Sequence, residues 1–140
     1  LERDDTATGR RQAAVARAAR PSPEAKQLAW AEAMEGTDLP NAILEATIMG
    51  FVQPDQVNLL APFRERYFQQ IMTAWDAQTM EMGQALAMAL YPALIVDEET
   101  VRQTDDFLRR DDLAAPLRRL VIEGRDGVQR AMRARAVDAS

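Results

Sequence analysis

The sequence has 140 residues, 47% of them hydrophobic, which suffices for one domain with a buried core. It contains no cysteine and no histidine, which excludes disulfide frameworks, thiolate zinc clusters and histidine-based catalytic or zinc motifs. The formal net charge is −5. It is unevenly distributed, with +2 in residues 1–20, −5 in 21–60, −4 in 61–100 and +2 in 101–140. This acidic middle argues against a nucleic-acid surface, which needs clustered positive charge.

The first third of the sequence predicts two helices joined by a proline corner. An alanine-rich segment over 8–20 favours a helix, which Pro21 ends because its ring clashes with a preceding helical residue. Ser22 is placed to cap a second helix over 23–35, and Pro23 suits its first position.

A third helix is predicted after Gly36, which is expected to end the second helix as its C-terminal cap. Asp38 or Thr37 is expected to open this third helix, and a proline corner over 53–56 follows it. Its apolar stripe at helical spacing consists of Leu39, Ile43, Leu44, Ile48 and Phe51.

The clearest helical periodicity lies in the segment PFRERYFQQIMTAWDAQ. Apolar residues recur there at intervals of four, with one aromatic neighbour beside them: Phe63, Tyr67, Ile71, Trp75 and Phe68. A further helix that ends before Pro92 is predicted from a second stripe, which consists of Met80, Gly83, Leu86 and Leu90.

The last third predicts two more helices. Asp97 is placed to cap a helix over 98–110 that has acidic residues in its first turn and arginines in its last. The only strand candidate, ALIV at 93–96, is too short to require a strand. The final helix follows Pro116, and its stripe consists of Leu117, Leu120, Val121, Val128 and Met132.

These elements predict an all-α fold of about seven helices with short connections, in which successive helices pack antiparallel. Two similar pieces, AWAEAM at 29–34 and AWDAQTM at 74–80, are 45 residues apart, a spacing that fits HEAT-type helical pairs and an α-solenoid. The residues expected to be at least mostly buried are Trp30, Phe51, Phe63, Tyr67, Trp75, Leu90, Leu108 and Leu120.

Carboxylates are the only strong metal ligands among the side chains. The segment DDFLRRDD brings four of them within about two helical turns, as a magnesium site would require. Arg109, however, occupies the position four residues after Asp105, where a further acid is needed. We therefore favour a surface helix end over a metal site for Asp105, Asp106, Asp111 and Asp112.

Three other patterns have both a binding and a structural interpretation. The arginines of RRLVIEGRDGVQRAMRARA are interleaved with acids and fit a solvated helix face better than a nucleic-acid patch. The aromatic residues suggest a stacking platform, but helical spacing favours a core role for Trp30, Phe63, Tyr67, Phe68 and Trp75. A core role is also the default for the methionines that suggest an adaptable groove, Met80, Met82 and Met88.

Four blocks occur in an order that resembles the C-terminal end of the aminopeptidase N family, above all enzymes of high-GC Gram-positive bacteria. They are TGRRQAAVARAARPSPEAKQLAW, LPNAILEATIMGFVQPDQVNLLAPFRERYF, LYPALIV and LRRLVIEGRDGVQRAMRARA, and together they cover nearly the whole chain. The same region is related to the C-terminal domain of the endoplasmic-reticulum aminopeptidases. The resemblance implies a bowl of HEAT-like helical pairs packed over a thermolysin-like zinc domain.

The resemblance also implies a function without a catalytic residue. The zinc motif and the substrate loop of the family lie in earlier domains, so no catalytic, substrate-binding or metal-binding residue is carried over, and zinc belongs to the parent enzyme. Residues 1–140 are expected to form a single helical domain, the C-terminal part of a longer chain, since the sequence begins at Leu1 rather than methionine.

The expected role of this domain is to wall the active-site chamber of a zinc aminopeptidase and to help control peptide access. Its partners would be the preceding domains and the peptide substrate, with no nucleic acid and no membrane. A cytoplasmic location is expected, because no apolar run approaches the ~20 residues of a membrane span and no signal peptide is visible. The alternative is a free-standing helical-repeat adaptor that binds protein partners.

Overall fold

The structure is a computed structural model that describes residues 2–36 and 38–139, with side chains from residue 6 onward. None of the described residues lies in a β-strand, and the segment 93–96 is a turn and coil, so the all-α prediction is confirmed. The chain divides into two compact units, residues 1–60 (unit 1) and 61–140 (unit 2). The HEAT-like pairing of the helices stays a prediction.

Unit 1 contains four α-helices and two short helical turns of other types. The α-helices are α1 (Glu2–Ala19), α2 (Pro23–Trp30), α3 (Asn41–Phe51) and α4 (Val57–Leu60). A π-helical turn, Ala31–Glu35, continues α2, and a 3₁₀ turn, Pro54–Gln56, precedes α4.

The predicted corner between the first two helices is confirmed. α1 ends at Ala19, just before Pro21, although it begins six residues earlier than predicted. Ser22 caps α2, because its hydroxyl accepts a hydrogen bond of 3.1 Å from the backbone N–H of Ala25. Pro23 takes the first helical position, where its missing N–H costs nothing.

The predicted start of the third helix is wrong. α3 begins at Asn41 with Pro40 as its capping residue, and Asp38 lies outside the helix. A residue before proline is pushed out of the helical region, so Leu39 cannot belong to a helix that contains Pro40. Thr37, the other predicted cap, lies outside the described residues, and Gly36 ends the π-helical turn in an extended conformation.

Small residues let α1 and α3 approach closely, and these two helices form the main contact of unit 1. Ala14 and Ala18 of α1 are buried, and a Cβ built on Gly50 of α3 would lie 2.9 Å from the Cβ of Ala18. Trp30 packs beside this contact with its ring 5.6 Å from that of Phe51. The predicted stripe of α3 is confirmed at its buried members, Leu44, Ile48 and Phe51.

Unit 2 contains four α-helices, which are α5 (Phe63–Ala77), α6 (Met80–Ala89), α7 (Glu98–Leu108) and α8 (Ala115–Ala139). α5 contacts both α6 and α7, while α8 contacts α6 and α7. With α4 of unit 1, the described residues therefore contain eight α-helices, one more than predicted.

The centre of unit 2 is an aromatic cluster. Tyr67 is fully buried, and its hydroxyl donates a hydrogen bond of 2.6 Å to the carbonyl of Ala87. Its ring meets those of Phe68 and Tyr91 edge to face, with centroids 5.1 and 5.6 Å apart. Phe107 closes the cluster against Phe68 at 5.6 Å.

The predicted core is confirmed, with three members less deeply buried than the rest. Trp75, Leu108 and Leu120 are partly exposed. A Cβ added at Gly83 would lie 3.4 Å from the ring of Trp75, so the missing side chain makes room for the indole. The fully sequestered members are Trp30, Phe51, Phe63, Tyr67 and Leu90.

Two helix details of unit 2 differ from prediction. Met80 starts α6 with 57% of its surface exposed, and Met82, at 1%, takes the inward position instead. α7 ends at Leu108, so its predicted arginines lie beyond the last turn. Arg109 is the C-cap residue, and Arg118 of α8 also reaches this helix end, where it donates to the carbonyl of Leu108 at 2.7 Å and to that of Arg110.

The predicted cap of α7 is confirmed and also ties α7 to α5. Asp97 accepts a hydrogen bond of 2.8 Å from the backbone N–H of Thr100. Arg64 of α5 donates to both oxygens of Asp97 at 3.1 Å. Partial burial opposes ionisation of Asp97, but the hydrogen bonds from Thr100 and the Arg64 guanidinium outweigh it and lower the pKa of Asp97.

We expect Asp97→Ala to lower the free energy of unfolding by about 1 kcal/mol through loss of the cap. Asp97→Asn keeps a capping oxygen and loses only the charge. Because the pKa of Asp97 is lower in the folded state, the charge stabilises the fold above about pH 4 and this contribution fades as the pH falls further. Urea titrations from pH 7 to pH 2 should therefore show the difference between wild type and Asp97→Asn shrinking with acidity; a constant difference would contradict the pairing with Arg64.

Candidate functional site

The acidic cluster predicted from DDFLRRDD is spread over separate ion pairs. Asp105 pairs with Arg125 of α8 at 2.9 Å, and Asp106 pairs with Arg102 at 2.8 Å. Further pairs join Asp106 to Arg109 at 2.6 Å and Asp112 to Arg110 at 2.9 Å. In the part of the chain that the structure describes, no three metal-ligating side chains come together.

Hydrogen bonds from neighbouring side chains keep two acids of this region, Glu99 and Asp112, ionised. Hydrogen bonds from Arg102 and Gln103 lower the pKa of Glu99 to about 2, and a hydrogen bond from Arg110 lowers the pKa of Asp112. A general acid or base needs a pKa near the working pH. These carboxylates instead act as fixed charges that hold the exposed face of α7 and the turn after it.

The aromatic and methionine predictions have different outcomes. The aromatic residues form core contacts rather than an open stacking platform, as predicted. Of the methionines, Met82 is buried, whereas Met88 is 65% exposed, so the core prediction is wrong for Met88 as it is for Met80. These two lie eight residues apart on α6, a spacing that places them on one face of the helix.

An open groove of about 430 Å³ lies between α5 and α7. Phe68 and Phe107 form its apolar part, and the ion-paired Arg102 stands at its edge. It can hold a chain of mixed polarity, but its lining has no nucleophile with an adjacent base. The lining residues are Glu65, Phe68, Gln69, Arg102, Gln103, Asp106, Phe107 and Arg110.

A second groove of about 250 Å³ lies between α7 and α8 and is mostly apolar. Val101 and Met132 supply its apolar surface, and Glu98 and Arg133 supply opposite charges. Beyond it, residues 133–139 are exposed, and Arg135 donates a hydrogen bond of 3.5 Å to the carbonyl of Val96.

The arginines of α8 divide into two groups. Arg119, Arg130, Arg133 and Arg135 are exposed, as expected for a solvated helix face. Arg118 and Arg125 are half-buried and bind groups of this chain, as described above for the end of α7 and for Asp105. The sequence pattern did not separate these groups, because the helical period alone does not reveal which acid or carbonyl lies opposite.

Lys26 is the side chain whose role the sequence analysis missed. It is the only lysine in the chain and has no exposed surface. Its ammonium donates to the carbonyls of Ala18 at 2.7 Å, Phe51 at 3.1 Å and Gly50 at 3.4 Å. A signal was present, because Lys26 shares one helical stripe with the apolar Ala29 and Trp30.

These contacts join the C-terminal ends of two helices, where backbone carbonyls lack partners within the helix. Burial lowers the pKa of Lys26, while Asp55 acts in the opposite direction. Gln56 performs a similar task nearby, because its side-chain amide donates to the carbonyl of Ala19 at 2.9 Å. Unit 1 therefore contains a polar joint, defined as Lys26, Gln56 and the carbonyls they bind.

The hydropathy of the helices gives one further finding. In the described residues, no helix is both long enough and apolar enough to cross a lipid bilayer.

Comparison with known proteins adds two findings. The model of the ERAP1-like C-terminal domain matches residues 1–130. Aminopeptidase N of Streptomyces lividans is 50% identical over 139 residues, which cover 99% of this chain and 16% of that protein. The matched region is a C-terminal part of the Streptomyces protein, and the chain thus spans about one sixth of the length of this relative.

Proposed function

The chain belongs to the ERAP1-like C-terminal domain family, and we propose that residues 1–140 are the non-catalytic helical domain of a zinc aminopeptidase. The observation that carries this proposal is the identity of 50% to an aminopeptidase N along 99% of the chain. The family match also runs across the boundary between units 1 and 2, which supports treating both as parts of one domain.

In this proposal the domain walls the chamber that receives the peptide and helps to control access to it. Its partners are the preceding domains of the longer enzyme and the peptide substrate, and the enzyme acts in the cytoplasm. A helical stack suits this task, since it presents many side chains on an extended surface without requiring a reactive one.

Zinc in the proposed enzyme belongs to residues outside this chain, because the donor set here does not fit it. Zinc sites in proteins are built from thiolates, imidazoles and carboxylates, and the first two are absent from all 140 residues. The carboxylates of the predicted acidic cluster are engaged with guanidinium groups at Asp105, Asp106 and Asp112. We therefore assign no step of peptide hydrolysis to a residue of this chain.

Removal of residues 1–140 from the longer enzyme tests the proposal. A single-residue chromogenic substrate reaches only the zinc and the groups that hold the substrate N-terminus, whereas a peptide of about eight residues extends further, where remote contacts can stabilise the transition state. We expect kcat/KM to change by different factors for the two substrates, with the larger change for the long peptide.

Two controls accompany this comparison. The truncated enzyme must keep its zinc content and its cooperative thermal unfolding, because deletion exposes apolar surface that favours misfolding. The full-length Gly9→Ala variant, altered at an exposed position with open space around it, should behave as wild type on both substrates. Equal fractional losses for both substrates in a folded truncated enzyme would count against substrate handling.

A further inference from the structure

Lys26 has an environment that is unusual for a lysine side chain. Lysine is almost never fully buried without a paired charge, yet this ammonium has no exposed surface and donates to three backbone carbonyls. Within the described residues no salt bridge to Lys26 is formed, and its further contact is the ring of Phe51, whose centroid lies 5.6 Å from Nζ.

The three acceptors connect separate parts of the chain. Ala18 belongs to the last turn of α1, while Gly50 and Phe51 end α3, and Lys26 itself belongs to α2. A primary ammonium has three N–H donors, which equals the number of carbonyls that surround it. One side chain therefore holds three helices of unit 1 at a single point.

We propose that Lys26 is a conformational latch: unit 1 must open before this amine can react with an activated acyl group, and an acylated Lys26 prevents unit 1 from closing. Acylation and the folded state of unit 1 are thus mutually exclusive. Modification of the amine then acts on folding rather than on surface charge.

The chemistry of acylation explains both halves of the latch. The unprotonated Nζ attacks the carbonyl carbon of an activated ester, the ester C–O bond breaks, the alkoxide leaves, and the amine proton passes to water. The amide that remains is neutral and keeps one N–H, so at least two of the three carbonyls lose their donor. The acyl group also brings its own carbonyl into a site where Lys26 has no exposed surface.

Two factors set the reaction rate of a lysine amine, its protonation state and the access of the reagent to it. Because burial lowers the pKa of Lys26, the amine is no more protonated than an exposed lysine at the same pH. The lowered pKa thus favours reaction, and only restricted access to the amine can retard it.

Pulsed labelling with the N-hydroxysuccinimide ester of acetic acid tests the first part of the proposal, that unit 1 must open before Lys26 reacts. Digestion with a glutamate-specific protease releases residues 25–32, which contain Lys26 and can be followed by mass spectrometry, in the isolated chain or within a longer protein. We expect labelling in the native state to be slower by at least about 100-fold than in concentrated guanidinium, because it requires local unfolding. Native labelling within about threefold of the denatured rate would overturn the proposal.

Refolding after labelling tests the second part, that an acylated Lys26 prevents unit 1 from closing. Protein acetylated in guanidinium is diluted into buffer, and hydrogen exchange of α1 and α3 is compared with that of an unlabelled sample treated identically. We expect the acetylated chain to lose protection in α1 and α3. Lys26→Met passes through the same labelling as a control, since it has no amine at this position and its protection should not depend on the reagent. Full protection of acetylated wild-type unit 1 would refute the latch.

Discussion

Gly50→Ala is expected to lower the free energy of unfolding by about 2–3 kcal/mol, although alanine is the better helix former. The Cβ would overlap the backbone carbonyl of Val15 and approach the Cβ of Ala18 to 2.9 Å. A backbone atom cannot rotate away, so α1 and α3 must separate, which also pulls the acceptors of Lys26 apart.

Gly9→Ala is the matched control, because it makes the same change in an exposed part of α1. A Cβ at Gly9 meets nothing within 4 Å, so helix propensity alone should raise stability by about 0.5–1 kcal/mol. Tryptophan fluorescence can follow the urea unfolding of each unit, since Trp30 lies in unit 1 and Trp75 in unit 2. In a Trp75→Phe background, fluorescence reports on unit 1, and the two variants should shift its midpoint in opposite directions. A neutral or stabilising Gly50→Ala would disprove the close packing of α1 on α3.

Features determined by neighbouring residues were predictable from the sequence. Ser22 and Asp97 act as caps because their hydroxyl or carboxylate reaches a backbone N–H three residues later, which requires no tertiary information. The apolar stripe of α5 identified Tyr67 and Ile71 as core residues for the same reason. The start of α3 was missed although its cause is local, since Pro40 restricts Leu39 and moves the first turn past Asp38.

Features that join distant segments were not predictable in this way. Lys26 meets carbonyls 8, 24 and 25 residues away, and Arg118 binds the end of a different helix. Periodicity shows which side of a helix faces inward, but not which polar atom lies opposite. A cation on an inward face is the signal that remains, and in unit 1 it identifies Lys26.

In the candidate site, too, local features were predictable from the sequence and contacts between distant segments were not. The absence of histidine and cysteine is a property of composition, and it excludes the Ser–His–Asp and Cys–His arrangements. The four acids of DDFLRRDD lie close in sequence, but the pairing of three of them with Arg102, Arg110 and Arg125 depends on side-chain direction and on α8. Family resemblance therefore contributes more to the proposed function than any single side chain does.

Tyr67→Ala is expected to lower the free energy of unfolding by about 4 kcal/mol, a value within the range for deletion of a large buried aromatic side chain. The ring is fully buried and borders Phe68 and Tyr91, so truncation removes both edge-to-face contacts and leaves a cavity. It also removes the hydrogen bond to the carbonyl of Ala87, which lies in the last turn of α6 and has no partner within the helix.

Tyr67→Phe separates these contributions, because it keeps the ring and deletes only the hydroxyl. Burial raises the pKa of Tyr67 well above its usual value, so the hydroxyl stays protonated and remains a donor throughout the neutral range. We expect this variant to lose about 1–2 kcal/mol from the unpaired carbonyl of Ala87, with the rest of the Tyr67→Ala effect due to the cavity. Hydrogen exchange of α5 and α6 measures both losses within unit 2. If Tyr67→Ala lowered the free energy of unfolding no more than Tyr67→Phe does, the buried ring would not contribute to the stability of unit 2, and this prediction would be wrong.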